Sequence, residues 1–232
     1  GDVVPWPGYC RVMPTVPLLL HLPGEGRWQA RNSPARRVPS HGSHLFGTTY
    51  AIDLVPVDDR GRSGPVNWRI VLATEDPVRF VGFGRTVTAP LAGRVVLTHD
   101  GESDGVVRRS PVAFLGHLRE QTERARRGLP GLAGNCVVIE VEPEGPYVLV
   151  AHLRCGSVAV RPDDVVMPGV PIGECGNSGN STQPHVHLQV TDSLDWQTTR
   201  GLPLAFHAYR GRRGDVIGQG LPDEGEVVEA ID

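Results

Sequence analysis

The chain has 232 residues and sets 23 basic side chains against 26 acidic ones, for a formal charge of −3. That length supports a real hydrophobic core in one large domain or two small ones, and the near-neutral balance argues against a dedicated nucleic-acid binder. The 29 Gly and 21 Pro punctuate the chain often enough to favour many short strands and turns over long helices.

In chain order, residues 16–22 form the longest N-terminal apolar stretch. Pro17 and His21 interrupt it and no basic flank precedes it, so it does not read as a secretory signal. No run of about 18 apolar residues exists, so no transmembrane helix is expected. Alternating or continuous apolar patterns predict strands at YAIDLVPV (50–57), GRVVLTH (93–99), NCVVIEVE (135–142), YVLVAHL (147–153) and HVHLQV (185–190). Between them, residues 111–131 carry Glu120, Glu123, Arg124, Arg126 and Arg127 at helical spacing. This predicts a solvated, helix-bearing insertion over about 101–131. Residues 210–232 turn polar and acidic and read as a loosely held tail. The four cysteines fall in no metal-type spacing and read as free thiols. The expected class is all-β, with an N-terminal extension over 1–41, a main domain over 42–209 and the polar tail.

The chemistry lies in polar residues that interrupt apolar strands. Strand parity places Asp53 on one face with Ala51, Val55 and Val57, and His152 with Val148 and Val150. His185, His187 and Gln189 share a face of the last strand, with Val186, Leu188 and Val190 on the other. A carboxylate on an apolar face is costly unless it is paired or metal-bound. Two histidines at i and i+2 stand side by side, as a metal site or an acid–base pair needs. Each residue alone also has an ordinary reading, as a hydrogen-bonded strand histidine or an aspartate paired with arginine.

Their surroundings decide between these. GNSGNSTQPHVHLQV (176–190) resembles the signature of the lysostaphin-type, or LytM, zinc metallopeptidases, G-N-T/S-G-x-S-x-x-P-H-L-H-F-E. The stretches FGRTVTAPLAGRVV, GNCVVIEV, YVLVAHL and RPDDVVMPGVPIGECGNSG resemble further motifs of that family in the same order, over about residues 42–190. The resemblance implies an antiparallel β core, one Zn2+ ion and hydrolysis of peptide bonds, with peptidoglycan cross-links or stem peptides as substrate. It implies Asp53 and His187 as metal ligands, with His44 as the third by its eight-residue interval to Asp53 and His41 as the alternative. It implies His152 and His185 as the catalytic pair, with their roles undivided. An intracellular zinc hydrolase of a small peptide or natural product, and a non-catalytic module on the same scaffold, are the competing readings. The chain as given points to the cytoplasm unless a leader is removed, while the resemblance points to a secreted, wall-acting protein. His21, His99, His117 and His207 lack motif context and read as surface or packing residues.

Overall fold

The computed structural model describes residues 16–65, 74–108, 124, 126–212 and 214–231. The described strands are β1 (Leu18–Leu20), β2 (Arg27–Arg31), β3 (Ile52–Val57), β4 (Thr86–Thr88), β5 (Gly93–His99), β6 (Asn135–Glu140) and β7 (Tyr147–Leu153). They continue with β8 (Val165–Val166), β9 (Pro171–Glu174), β10 (Val186–Thr191), β11 (Gly201–Leu202), β12 (Leu204–Arg210), β13 (Val216–Gly220) and β14 (Val227–Ala230). One short helix, α1 (Leu129–Ala133), ends the insertion. Of the helical segment expected over 111–131, residues 124 and 126 are also helical, and residues 111–123 and 125 lie outside those described.

Strand order in the main sheet is β1-β12-β14-β2-β3-β10-β7-β6-β5-β8, with β11 beside β10 and β13 beside β12. All of these pairings are antiparallel except β1 with β12. The fold is therefore all-β, as the patterning predicted. The five strands expected from apolar patterning are all present, with their limits shifted by no more than two residues.

The central strands β3, β10, β7 and β6 are buried along their whole length. One face packs Ile52, Leu54, Val148, Val150, Val186 and Leu188 into the main core with Trp28 and Phe206. The other face carries a smaller cluster that includes Cys136, Val138, Leu149 and Ala151. Any polar side chain in this centre must find partners.

The two ends of the chain belong to the sheet. β2, from the expected N-terminal extension, pairs with both β3 and β14. The C-terminal stretch is not loose: β13 pairs with β12, and β14 bridges β12 and β2 with Val228 fully buried. Its apolar residues are too few and too spaced to read as strands by run length. Backbone pairing and the turn contacts Ser33 N–H to Glu224 Oε2 (2.9 Å) and Ser33 hydroxyl to the Pro222 carbonyl (2.5 Å) hold it.

Trp28 tests this integration. Its ring is fully buried, its indole N–H donates to the Gly24 carbonyl at 3.0 Å, and the Arg85 guanidinium lies 5.5 Å from the ring centre. Trp28→Ala should cost about 3–5 kcal/mol in denaturant unfolding. A loss under about 1 kcal/mol would show that this segment merely lies on the core.

Cys136 and Cys175 are buried free thiols and Cys155 is a free, exposed one. Burial pushes the Cys136 thiol up to about 12 and raises Cys175 as well, so both stay protonated and unreactive. Among the described residues, no helix is long and apolar enough to cross a membrane.

Candidate metal centre

The register of three adjacent strands assembles the site. β10 lies between β3 and β7, and His187 stands opposite Asp53 on one side and Ala151 on the other. Directly opposed side chains on one face sit about 4.5–5.5 Å apart at Cβ, which is enough to bring ring and carboxylate together. His187 Nδ1 lies 2.9 Å from Asp53 Oδ1, and His185 Nε2 lies 3.5 Å from the same oxygen. His41 Nε2 completes the group, 3.2 Å from Asp53 Oδ1 and 3.3 Å from Oδ2. One ligand atom from each of His41, Asp53 and His187 lies within 4.8 Å of the others.

The histidine that meets Asp53 and His187 is thus His41, the alternative, and not His44, the expected third ligand. Counting the interval to Asp53 treats the intervening loop as a fixed spacer. Instead, residues Leu45–Tyr50 coil into 3-10 turns, with Phe46 (φ 56°) and Gly47 (φ 74°) in left-handed conformation. His44 is left exposed at the start of these turns, its Nδ1 3.1 Å from the Thr49 hydroxyl. His41, three residues earlier, lies over Asp53. A domain boundary at residue 42 would separate it from its partners.

His152 reaches the cluster by a break in alternation. Strict parity puts it with Val148 and Val150, which face the main core, away from the other histidines. Between the pairs Asn135–Leu153 and Val137–Val150, two residues of β7 oppose one of β6. This is a β-bulge, a device that re-aims side chains next to functional sites. His152 takes the left-handed φ of 65°, follows Ala151 onto the site face, and lets Leu153 return to the main core. Its ring centre then lies 4.7 Å from that of His185 and 5.8 Å from that of His187.

Hydrogen bonds away from the cluster fix which nitrogen each ring presents to it. The Ser40 hydroxyl donates to the Thr48 carbonyl, so it accepts from His41 Nδ1–H at 3.0 Å and leaves Nε2 unprotonated. His152 Nδ1–H donates to the Ser178 carbonyl at 2.9 Å, and His185 Nδ1–H to the Gln183 carbonyl at 2.8 Å. His187 Nε2–H donates to Gln189 Oε1 at 2.9 Å, which turns the Nδ1 lone pair towards Asp53. As neutral rings, His41, His185 and His187 therefore aim three lone pairs at a carboxylate. Two acceptors 2.9 Å apart need a proton or a cation between or beside them. Two neutral imidazoles and one carboxylate form a donor set that suits catalytic zinc, whose fourth position goes to water or substrate.

Asn32 Nδ2–H donates to Asp53 Oδ2 at 2.7 Å, steadying the carboxylate. Asn32, Ser40, Ser178 and Gln189 all support the site, yet only two carried a sequence signal: Gln189 by sharing the His185–His187 face, and Ser178 by its place in the GNSG signature.

Burial opposes ionisation of Asp53, but when the facing ring nitrogens carry protons, His41, His185 and His187 outweigh it and hold the carboxyl well below its usual value. Burial drives His152 well below 6.5, and His185 and His187 push it the same way. For His185 burial also disfavours charge, yet Asp53 prevails and the net value is raised. Two neighbouring imidazoles are thus pushed apart, one towards a proton acceptor and the other towards a proton carrier.

The loop before β10 is tied to β6 and β7 through Ser178 and Gly176, and also to chain outside the strands. Asp104 accepts from Asn177 N–H at 2.6 Å and from Cys155 N–H at 3.0 Å, and Asn177 Nδ2–H donates to the Gly105 carbonyl at 2.6 Å. Gly179 (φ 66°) lies so close to the Gly134 and Leu132 backbone that a side chain there would collide. These contacts fix Ser178, whose carbonyl orients His152.

The model of peptidase family M23 matches residues 78–198, just over half of the chain. The chain belongs to this family and is a zinc-dependent metallopeptidase. The matched range holds His152, His185 and His187 and begins after His41 and Asp53, which it does not cover. Among solved structures, the chain is similar to the catalytic domain of lysostaphin from Staphylococcus simulans, at 17% identity and TM-score 0.38, over 76% of this chain and 88% of that one. It is also similar to a point mutant of the catalytic domain of the prophage-encoded M23 protein EnpA from Enterococcus faecalis. There the identity is 18% and the TM-score 0.35, over 53% of this chain and 69% of that one. A zinc-containing peptidase from Vibrio cholerae aligns at 20% identity and TM-score 0.32, over 60% of this chain and 43% of that one. These superpositions are loose, and membership stands on the family model. No curated protein sequence matches the chain.

Proposed function

We propose that His41, Asp53 and His187 hold the zinc ion and that the bonds cleaved are peptide bonds of peptidoglycan cross-links or stem peptides. The observation that carries the ligand assignment is the convergence of unprotonated ring nitrogens on a buried carboxylate. Bound there, zinc would polarise the scissile carbonyl and lower the pKa of a bound water towards neutrality. His152, kept neutral by burial and held through Nδ1–H, turns its Nε2 lone pair inwards to take the proton from the attacking water. His185, favoured as the charged form by Asp53, stabilises negative charge on the tetrahedral intermediate and returns a proton to the leaving amine.

The substrate class is supported by the lysostaphin-type signature around His185 and His187. A cavity of about 620 Å³, lined by Leu45, Phe46, Leu129 and Trp196 together with Arg126 and Asp195, borders the turns that follow His41. This reading carries with it a site of action outside the cytoplasmic membrane.

Incubation of zinc-loaded protein with purified peptidoglycan should release soluble fragments with new free amino groups, and chelation should stop the release. Cleavage confined to short peptides unrelated to the wall would overturn the substrate reading and favour a small-peptide hydrolase.

A further inference from the structure

Gln189 lies on β10 two residues beyond His187, on the same face, and is 2% exposed. A buried amide must place both its acceptor and its donors. Its Nε2–H donates to the Phe46 carbonyl at 2.9 Å, and because a carbonyl only accepts, this contact fixes the orientation of the amide. Oε1 is thereby left to accept from His187 Nε2–H, also at 2.9 Å. Phe46 and Gly47 form the left-handed part of the loop. The next residue, Thr48, accepts the Ser40 hydroxyl that braces His41. One amide thus holds His187 directly and the loop carrying His41 through its backbone.

We propose that Gln189 is a positioning residue for zinc: it commits His187 to ligation through Nδ1 and ties the His41 loop to the strand that bears His187. The inference rests on His41, Asp53 and His187 being the ligand set. Partners that orient a metal-bound imidazole cost about 10–100-fold in affinity when removed.

Two variants separate the contacts. Gln189→Leu removes both, whereas Gln189→Glu keeps an acceptor for His187 Nε2–H and gives up the amide donor to Phe46. Zinc dissociation constants, measured by competition with a chromophoric chelator, should rise about 10–100-fold in Gln189→Leu, and Gln189→Glu should recover part of that loss. Nitrogen-15 NMR of the metal-free wild type, taken where the histidines are neutral, should show His187 protonated at Nε2. Unchanged zinc affinity in Gln189→Leu, equal losses in the two variants, or an Nδ1–H tautomer would each overturn the proposal. If Gln189→Leu fails to fold, Gln189→Glu must still bind zinc more weakly than wild type, and the tautomer decides the His187 arm. His187→Ala serves as the control. Zinc retained in that variant defeats the ligand assignment itself, whereas zinc lost there but kept in Gln189→Leu defeats only the role of Gln189.

Discussion

His41→Ala should strip the protein of tightly bound zinc and abolish peptidase activity, whereas His44→Ala should retain both. The basis is position. His41 Nε2 stands 3.2 Å from Asp53 Oδ1 with its other nitrogen braced by Ser40, while His44 is exposed beside Thr49. Removing one of three protein ligands leaves a carboxylate and a single imidazole, too few to hold a catalytic zinc firmly. The fall in affinity should exceed the about 10–100-fold typical of residues that merely support a ligand. Metal analysis after dialysis against a weak chelator reads the result directly. Zinc lost from His44→Ala and kept in His41→Ala would reverse the assignment.

The second large effect belongs to His152. His152→Ala should keep its zinc and lose turnover by about 10²–10⁴-fold, the usual contribution of a positioned general base. The left-handed backbone at this residue raises a separate concern, since alanine fits such a conformation poorly. Asparagine tolerates it better, so His152→Asn distinguishes strain from chemistry: both variants should lose activity alike while unfolding near the wild-type midpoint. Recovery of activity in His152→Asn would show that the bulge and not the imidazole is what matters. The pH profile carries the same assignment. A base must be unprotonated, and burial lowers the His152 value, so kcat/KM should fall as pH drops through a midpoint below 6.5. An acid limb centred above 6.5 would count against His152 as the base.

The sequence made the scaffold readable wherever apolar runs were long. β3, β5, β6, β7 and β10 all lie where alternation or continuous burial predicted them, because central strands of a sheet covered on both faces must be apolar throughout. Asp53, His185 and His187 were legible for the complementary reason: polar groups in such strands stand out. Three kinds of information were not legible. Which histidine the loop brings to Asp53 depends on how residues 41–50 coil, and Phe46 in a left-handed conformation has no local sequence marker. The bulge at His152 contains no glycine to announce it, so parity assigned the ring to the wrong face. β13 and β14 are held by backbone pairing and by the contacts of Ser33, Pro222 and Glu224, which join residues nearly 200 positions apart.

The place of β14 also bears on how the sheet beside the site is completed. It pairs with β2, and β2 is the neighbour of the strand that carries Asp53. Residues 227–230 come after every residue of the candidate metal centre, so without them β2 has one unpaired edge. The strand that carries Asp53 thus shares its sheet with a neighbour whose own outer edge is covered by the last strand of the chain to be made.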